Sequence, residues 1–307
     1  MSNARYISPL RYPGGKAPMA PWLGEMFDRQ HSGLPIELWI EPFAGGAGAA
    51  LTLLNRGAVD EVRLIDANAG IAAFWQAVLA DGEELARRVR LTVPTLDLWH
   101  ECRALLTAPD DHDLFELGYA AFLINRCSRS GIVSPTAGPM GGHAQTGEWT
   151  IGARFNSAAL AERIRRVHSL RNRVTVITGD GISHIEDLNG SGIEDEVVLF
   201  VDPPYLREGN RLYAHGMDGA AHRRLADALN TTVARWMLTY DDEPLVTDLL
   251  YPERRVLAYD IRNTANRARI AREFAVFSDS LDVGDPAGLV RGSARRVRSA
   301  ADTVAAA

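Results

Sequence analysis

Leu38-Trp39-Ile40-Glu41-Pro42-Phe43-Ala44-Gly45-Gly46-Ala47-Gly48 runs from three apolar residues into a glycine-rich turn, and the helix-like Ala49-Ala50-Leu51-Thr52-Leu53-Leu54-Asn55-Arg56-Gly57 follows. A short apolar strand, a turn nearly bare of side chains and then a helix bring backbone amides close to a nucleotide-like ligand. Val62-Arg63-Leu64-Ile65 reads as a second strand. It ends at Asp66, 21 residues beyond Gly45, where a carboxylate is positioned to accept hydrogen bonds from ribose hydroxyls. Two strands joined through a helix, with these endings, predict a parallel sheet and an adenosine-containing cofactor. Ala69 to Leu79 again has a helical pattern and continues the alternation.

A third apolar run, Val197-Val198-Leu199-Phe200-Val201, stops at Asp202-Pro203-Pro204-Tyr205. The run reads as a buried strand, and ligands collect beyond the carboxyl ends of strands in open α/β sheets. Asp202 offers a carboxylate, the Pro203 carbonyl a second acceptor, and Tyr205 an aromatic face, on a backbone stiffened by two prolines. Together they suit a planar ring that carries an exocyclic amine.

Composition sets the frame. The chain has 307 residues, 46% of them hydrophobic, which is ordinary for a globular protein and enough for one large domain or a core with an insertion. No apolar stretch approaches a membrane span and no signal peptide is visible. Met1-Ser2-Asn3-Ala4 reads as an expression-vector remnant outside the fold. Cys102 and Cys127 show neither a CxxC spacing nor a neighbouring histidine cluster, so no zinc site or disulfide framework is expected and the setting is reducing and cytoplasmic.

The net charge of -6 gives no support to a generally basic nucleic-acid binder. Between Arg154 and Arg173, however, six arginines face the single acid Glu162, so a local positive patch can coexist with an acidic remainder. Of the 33 basic side chains only Lys16 is a lysine, which suggests a position that needs a compact ammonium rather than a planar guanidinium.

The segment from about Asp81 to Asn172 breaks the alternation. Leu85 to Leu91 and Leu114 to Ile124 have helical spacing, a glycine-rich loop follows from Gly131 to Gly147, and Gln145-Thr146-Gly147-Glu148 is a candidate hairpin turn. Strands resume at Val174-Thr175-Val176-Ile177, before Gly179-Asp180-Gly181. Further strands are expected at Trp236 to Tyr240, around Arg255 to Tyr259, and at Glu273 to Phe277. From Asp279 onward the chain has little apolar periodicity and reads as a mobile tail.

RYPGGK (Arg11 to Lys16), EPFAGGAG (Glu41 to Gly48), the strand ending in Asp66, and DPPY (Asp202 to Tyr205) occur in the order seen in adenine-N6-specific DNA methyltransferases of the alpha group, and over most of residues 8 to 278 the chain resembles that family. The resemblance implies an α/β fold: a class I S-adenosylmethionine-dependent methyltransferase core, Rossmann-like, with an inserted helical target-recognition subdomain. The core would comprise residues 5–80 and 173–280, the insertion 81–172, and a disordered tail 281–307.

For the site the resemblance implies that Tyr12 and Lys16 contact the cofactor, with Lys16 at its carboxylate or nearby backbone. Phe43, Gly45 and Gly46 would form the turn under the methionine portion, Asp66 would hold the ribose, and Asp180 would approach the adenine amine of the cofactor. Asp202, Pro203 and Tyr205 would grip the target base, with Asp202 also close to the cofactor. The family carries a Leu-Asn-Arg element followed by Asn-Gly; here it reads Ile124-Asn125-Arg126-Cys127-Ser128-Arg129-Ser130-Gly131, with Ser130 in place of the asparagine. Arg126, Arg129 and Arg154 are candidates for phosphate or guanine contacts, and Gln145 for an adenine edge.

The expected reaction is methylation of the N6 amine of an adenine extruded from double-stranded DNA, with S-adenosyl-L-methionine as donor and no metal, membrane or obligate protein partner. A restriction-modification role is one setting for such an enzyme. Neither cysteine follows a proline, so the nucleophile of cytosine-C5 methyltransferases is missing. Alternatives are the same core acting on cytosine N4 or an RNA base, a nicotinamide-dependent oxidoreductase, which leaves DPPY and RYPGGK unexplained, and a non-catalytic DNA-binding protein that keeps the fold.

Overall fold

The computed structural model describes residues 7–12, 14–30, 37–109, 112–129, 131, 133, 137–207, 216–263, 269–285 and 295–297. In chain order its main elements are α1 (Ala20–Arg29), β1 (Leu38–Glu41), α2 (Gly48–Arg56), β2 (Glu61–Asp66), α3 (Ala69–Leu91), α4 (Leu96–Leu105), α5 (Leu114–Cys127) and α6 (Ser157–His168). Then come β3 (Val174–Thr178), α7 (Gly181–Leu188), β4 (Val197–Val201), α8 (Gly219–Thr231), β5 (Arg235–Asp241), β6 (Arg255–Asn263), β7 (Arg269–Phe277) and β8 (Arg295–Val297).

The strands form one 8-stranded sheet in the order β3-β2-β1-β4-β5-β7-β6-β8. The first five in that order run parallel. β7 then pairs antiparallel with β5, and β6 and β8 continue antiparallel beyond it. The 3-2-1-4-5 order is that of a doubly wound nucleotide-binding sheet, whose direction of winding reverses between β1 and β4. With the β6–β7 hairpin added it is the class I methyltransferase arrangement. All seven strands expected from sequence are present; the insertion of β7 between β5 and β6 is a tertiary choice that strand periodicity does not encode.

Alternate residues of the central strands feed two apolar layers, as the two-residue period of a strand requires. Trp39, Val198, Phe200 and Met237 join the layer under α1, α2, α3, α5 and α6. Ile40, Val197, Leu199, Val201, Trp236 and Leu238 join the layer under α7 and α8. β4 is buried at every position, which explains its unbroken apolar run.

The residues 81–172 begin inside α3, which is continuous from Ala69 to Leu91 except for non-helical backbone at Asp81. α5 and α6 lie in the same apolar layer as α3, so this segment shares the core of the methyltransferase sheet. No hairpin forms at Gln145 to Glu148. Gln145 has a left-handed backbone (φ 49) in a run of turns, and its side chain satisfies the loop from within. The stretch expected to be a disordered tail starts with packed residues: Leu281 and Val283 are buried, Gln30 bonds Asp282, and β8 pairs with β6. Residues 1–6, 286–294 and 298–307 lie outside the described residues, as does Ser130.

Candidate active site

The turn after β1 and the end of β4 open side by side at the point where the winding reverses. Gly45 has φ +46, and a Cβ there would meet the Tyr12 ring at 2.7 Å; both the backbone and the close approach require glycine. Tyr12 lies over Gly46 as well, where a Cβ would be 3.0 Å from the tyrosine Cβ. The turn is fixed from three sides. The Gly45 amide donates to Asp66 Oδ2 at 2.7 Å, Trp75 Nε1 donates to the Gly45 carbonyl at 2.9 Å, and Ser8 Oγ donates to the Gly46 carbonyl at 2.6 Å.

Asp66 also accepts from the Asn68 amide, through Oδ1, at 2.8 Å. Each carboxylate oxygen has more than one lone pair, so the group that braces the turn can also accept from a ribose hydroxyl. Phe43 is half-buried beside the turn. Asp180 caps α7 through the amides of Ile182 and Ser183 and pairs with Arg224 at 2.8 Å. Its carboxyl lies below the usual range: burial works against this, and bonds from Ser183, Ile182 and Arg224 prevail. A bare turn with an acid one strand away and a second acid at the head of α7 suits an adenosine cofactor.

At the end of β4 the chemistry is different. Lys16 is 3% exposed and all three of its ammonium protons have partners. It donates to the Gly14 carbonyl at 2.8 Å, to Asp202 Oδ1 and Oδ2 at 2.8 and 3.0 Å, and to the Tyr205 hydroxyl at 2.8 Å. Glu273 of β7 stands 3.5 Å away. Burial on its own would lower the lysine pKa; the charges of Asp202 and Glu273 reverse that and hold it above its ordinary value. The resemblance implies that Lys16 contacts the cofactor; its bonds within the protein go to Gly14, Asp202 and Tyr205.

The network extends beyond DPPY. Thr239 Oγ1 on β5 donates to Asp202 Oδ1 at 2.5 Å, the Tyr205 hydroxyl donates to Glu273 Oε2 at 2.9 Å, and the Tyr259 hydroxyl on β6 reaches the same oxygen at 2.7 Å. Burial, followed by the nearby carboxylates, pushes both tyrosines well above the ordinary phenol value. Asp202 itself is 26% exposed at its side chain, so it is held from behind and open in front. Behind the turn Glu41, the last residue of β1, is buried and accepts from Trp39 Nε1 at 3.2 Å and from the Ala50 amide at 2.8 Å. Burial lifts its carboxyl to about 8 against those two bonds.

Residues 12–108 match the family model for the D12 class of N6 adenine-specific DNA methyltransferases. The match supports an adenine-N6 DNA methyltransferase. An enzyme of this kind takes its methyl group from S-adenosylmethionine and acts on DNA. The matched stretch contains Lys16, the glycine turn and Asp66, and the structure adds Asp202 and Tyr205 from outside it. Among solved structures the chain resembles two of the rRNA methyltransferase aviRa from Streptomyces viridochromogenes. They are 14% and 16% identical over 92% of this chain and 94% of that one, with TM-scores of 0.40 and 0.37. None of the curated proteins matches. Among the described residues no helix is long and apolar enough to cross a membrane.

The candidate site thus gathers Tyr12, Gly45, Gly46 and Asp66 on one side and Lys16, Asp202 and Tyr205 on the other. Thr239, Tyr259, Glu273, Glu41 and Trp75 complete it and were not legible beforehand. Glu273 had one sequence signal, an acid directly before the apolar run Phe274 to Phe277.

The four DNA candidates lie elsewhere. Arg126, half-buried on α5, donates to the carbonyls of Pro9 and Arg154, while Arg129 and Arg154 are exposed. Gln145 is turned inward: its amide donates to the Met140 and Gly142 carbonyls and accepts from Ile151 N.

Proposed function

We propose that this protein methylates the N6 amine of an adenine flipped out of double-stranded DNA. The observation that carries the reading is Asp202: it closes the central strand beside the glycine turn, is oriented by Lys16 and Thr239, and has its free edge exposed. Extruding the base costs a few kcal/mol, and the Tyr205 ring, fixed by its hydroxyl bonds to Lys16 and Glu273, offers a stacking face.

The lone pair of an exocyclic amine is delocalised into its ring, which makes it a weak nucleophile. Asp202 and the Pro203 carbonyl, placed to accept its two N–H groups, favour a tetrahedral nitrogen as the new bond forms. Tyr12, Phe43, Gly45, Gly46, Asp66 and Asp180 would hold S-adenosylmethionine, which supplies a methyl group already activated by the sulfonium charge. The remaining task of the protein is alignment. Lys16 keeps the Asp202 carboxylate oriented throughout. Residues 81–172, with Arg126, Arg129 and Arg154, would face the DNA, and Gln145 holds together the loop from Met140 to Ile151.

The test is incubation with tritiated S-adenosylmethionine and unmethylated genomic DNA, followed by nucleoside analysis. Label in N6-methyladenine is expected. Label in N4-methylcytosine would move the acceptor to cytosine, and no label in DNA with folded protein would overturn the reading.

A further inference from the structure

Three ionisable side chains from separate parts of the chain meet behind the open edge of Asp202. Lys16 precedes α1, Asp202 follows β4, and Glu273 on β7 is paired in register with Asp241 of β5 and Tyr259 of β6. Lys16 Nζ lies 2.8 Å from Asp202 Oδ1 and 3.5 Å from Glu273 Oε2. Two carboxylates therefore face one ammonium. Among the described residues no other cation stands within ion-pair distance of either acid. The neighbouring groups leave that count unchanged: Tyr205 and Tyr259 are held as neutral phenols, and Glu41 keeps its proton up to about 8.

The cluster thus carries one negative charge more than its lysine can balance. Burying a carboxylate is costly unless it is paired, and Asp202 alone already neutralises Lys16. Glu273 is the deeper of the two acids, with a side chain 5% exposed against 26% for Asp202. Its Oε2 accepts from the Tyr205 hydroxyl at 2.9 Å and from the Tyr259 hydroxyl at 2.7 Å, which fixes it in the wall of the site while Asp202 faces the opening. An amide oxygen would satisfy both hydroxyls equally well. The charge itself calls for a role.

The direction in which charge moves during methyl transfer supplies one. As the N6 lone pair bonds to the methyl carbon, the carbon–sulfur bond breaks and its electrons remain on sulfur, so positive charge passes from sulfur to N6. N6 then gives a proton to Asp202, whose exposed edge returns it to water. Lys16, held against both oxygens of Asp202, opposes the charge that develops on N6, and a negative group behind the lysine offsets that opposition. We infer that Glu273 is a positioning residue for methyl transfer: it takes up the charge of Lys16 and leaves that of Asp202 to the reacting amine. The inference rests on the reading of the chain as an adenine methyltransferase and adds to it an acid from outside the DPPY and RYPGGK segments.

The experiment uses the full chain, Glu273→Gln, and the double variant Lys16→Met with Glu273→Gln. The single variant keeps an oxygen for both tyrosine hydroxyls and makes the cluster neutral; the double variant restores the net charge of the wild type with Asp202 alone. Two quantities are read: the single-turnover rate of tritiated methyl transfer to unmethylated DNA, and the equilibrium affinities for S-adenosylmethionine and its neutral thioether, S-adenosylhomocysteine. Glu273→Gln is expected to slow transfer at least about tenfold, the effect of a unit charge across about 12 Å at an effective dielectric near 20. It should also lose affinity for the sulfonium and not for the thioether. The double variant should transfer faster than Glu273→Gln and regain the wild-type preference for the sulfonium.

An unchanged rate in Glu273→Gln would make Glu273 a bracket for the two tyrosines and overturn the inference. So would a slowed rate that the double variant fails to raise, with the sulfonium preference unchanged in both. If Glu273→Gln does not fold, the wild type and the double variant decide: equal net charge predicts equal preference for the sulfonium, and a lower preference in the double variant would overturn the assignment. The ligand affinities need no DNA, so failure of the broader reading appears separately, as wild-type protein that labels no DNA.

Discussion

Asp66 and Asp202 end the two strands that flank β1, and they are held in opposite ways. The hydrogen bonds described for Asp66 come from backbone amides, those of Gly45 and Asn68, neutral donors no more than 21 residues away in sequence. Asp202 is gripped by side chains, with an ammonium 186 residues distant and a hydroxyl from β5. A carboxylate that accepts from two backbone amides fixes the turn that carries them. One paired with a buried lysine is fixed in orientation, and its stability and its chemistry depend on the same contact.

The contrast breaks first at the lysine. Lys16→Met removes one partner of a buried pair and leaves Asp202 and Glu273 facing each other across the gap. The expected loss of folding stability is about 3–5 kcal/mol, read from urea unfolding. A loss under about 1 kcal/mol would show that water compensates the carboxylates and that the network is not what holds the end of β4.

A pair of alanines then compares the two acids directly. Asp202→Ala is expected to lower kcat by about 10²–10³-fold, the range for removing one group that stabilises developing charge, with a smaller change in S-adenosylmethionine affinity. Asp66→Ala should do the reverse, raising the cofactor dissociation constant more than it lowers kcat. Single-turnover rates and equilibrium binding on the two variants separate the effects. Similar losses of cofactor affinity in both would mean that Asp202 serves the cofactor as well as the base.

The same contrast explains what could be read from sequence. Local features were legible: the strand at Leu38, the turn at Gly45 and the acid at Asp66 depend on neighbours within one strand–helix–strand unit. Lys16 stood out as the single lysine, but its partner did not, because an ion pair between the first turn of the fold and the end of β4 exists only once the sheet has formed. Glu273 and Tyr259 enter the site because β7 lies between β5 and β6, an order set by packing rather than by pattern. Gln145 looked like a base reader because it sits in a polar loop; the loop's own carbonyls claim its amide.

Glu41 provides the smallest and most selective test, since it lies between the two halves, at the end of β1 and behind the turn. Its carboxyl is held at about 8, against an ordinary 4.5, so between those values the folded protein retains a proton that the unfolded chain has released. Stability must then fall as pH rises through that window. One pH unit of such a shift corresponds to 1.36 kcal/mol, and with the carboxyl half-ionised near the upper end the loss from pH 6 to pH 8 is roughly 2 kcal/mol. Glu41→Gln keeps an acceptor for Trp39 and Ala50 and has no proton to lose, so subtracting its unfolding free energy from that of the wild type cancels every other titrating group. The difference should shrink by that amount over the interval; parallel profiles would show that Glu41 ionises freely, and that water reaches the floor of the site behind the glycine turn.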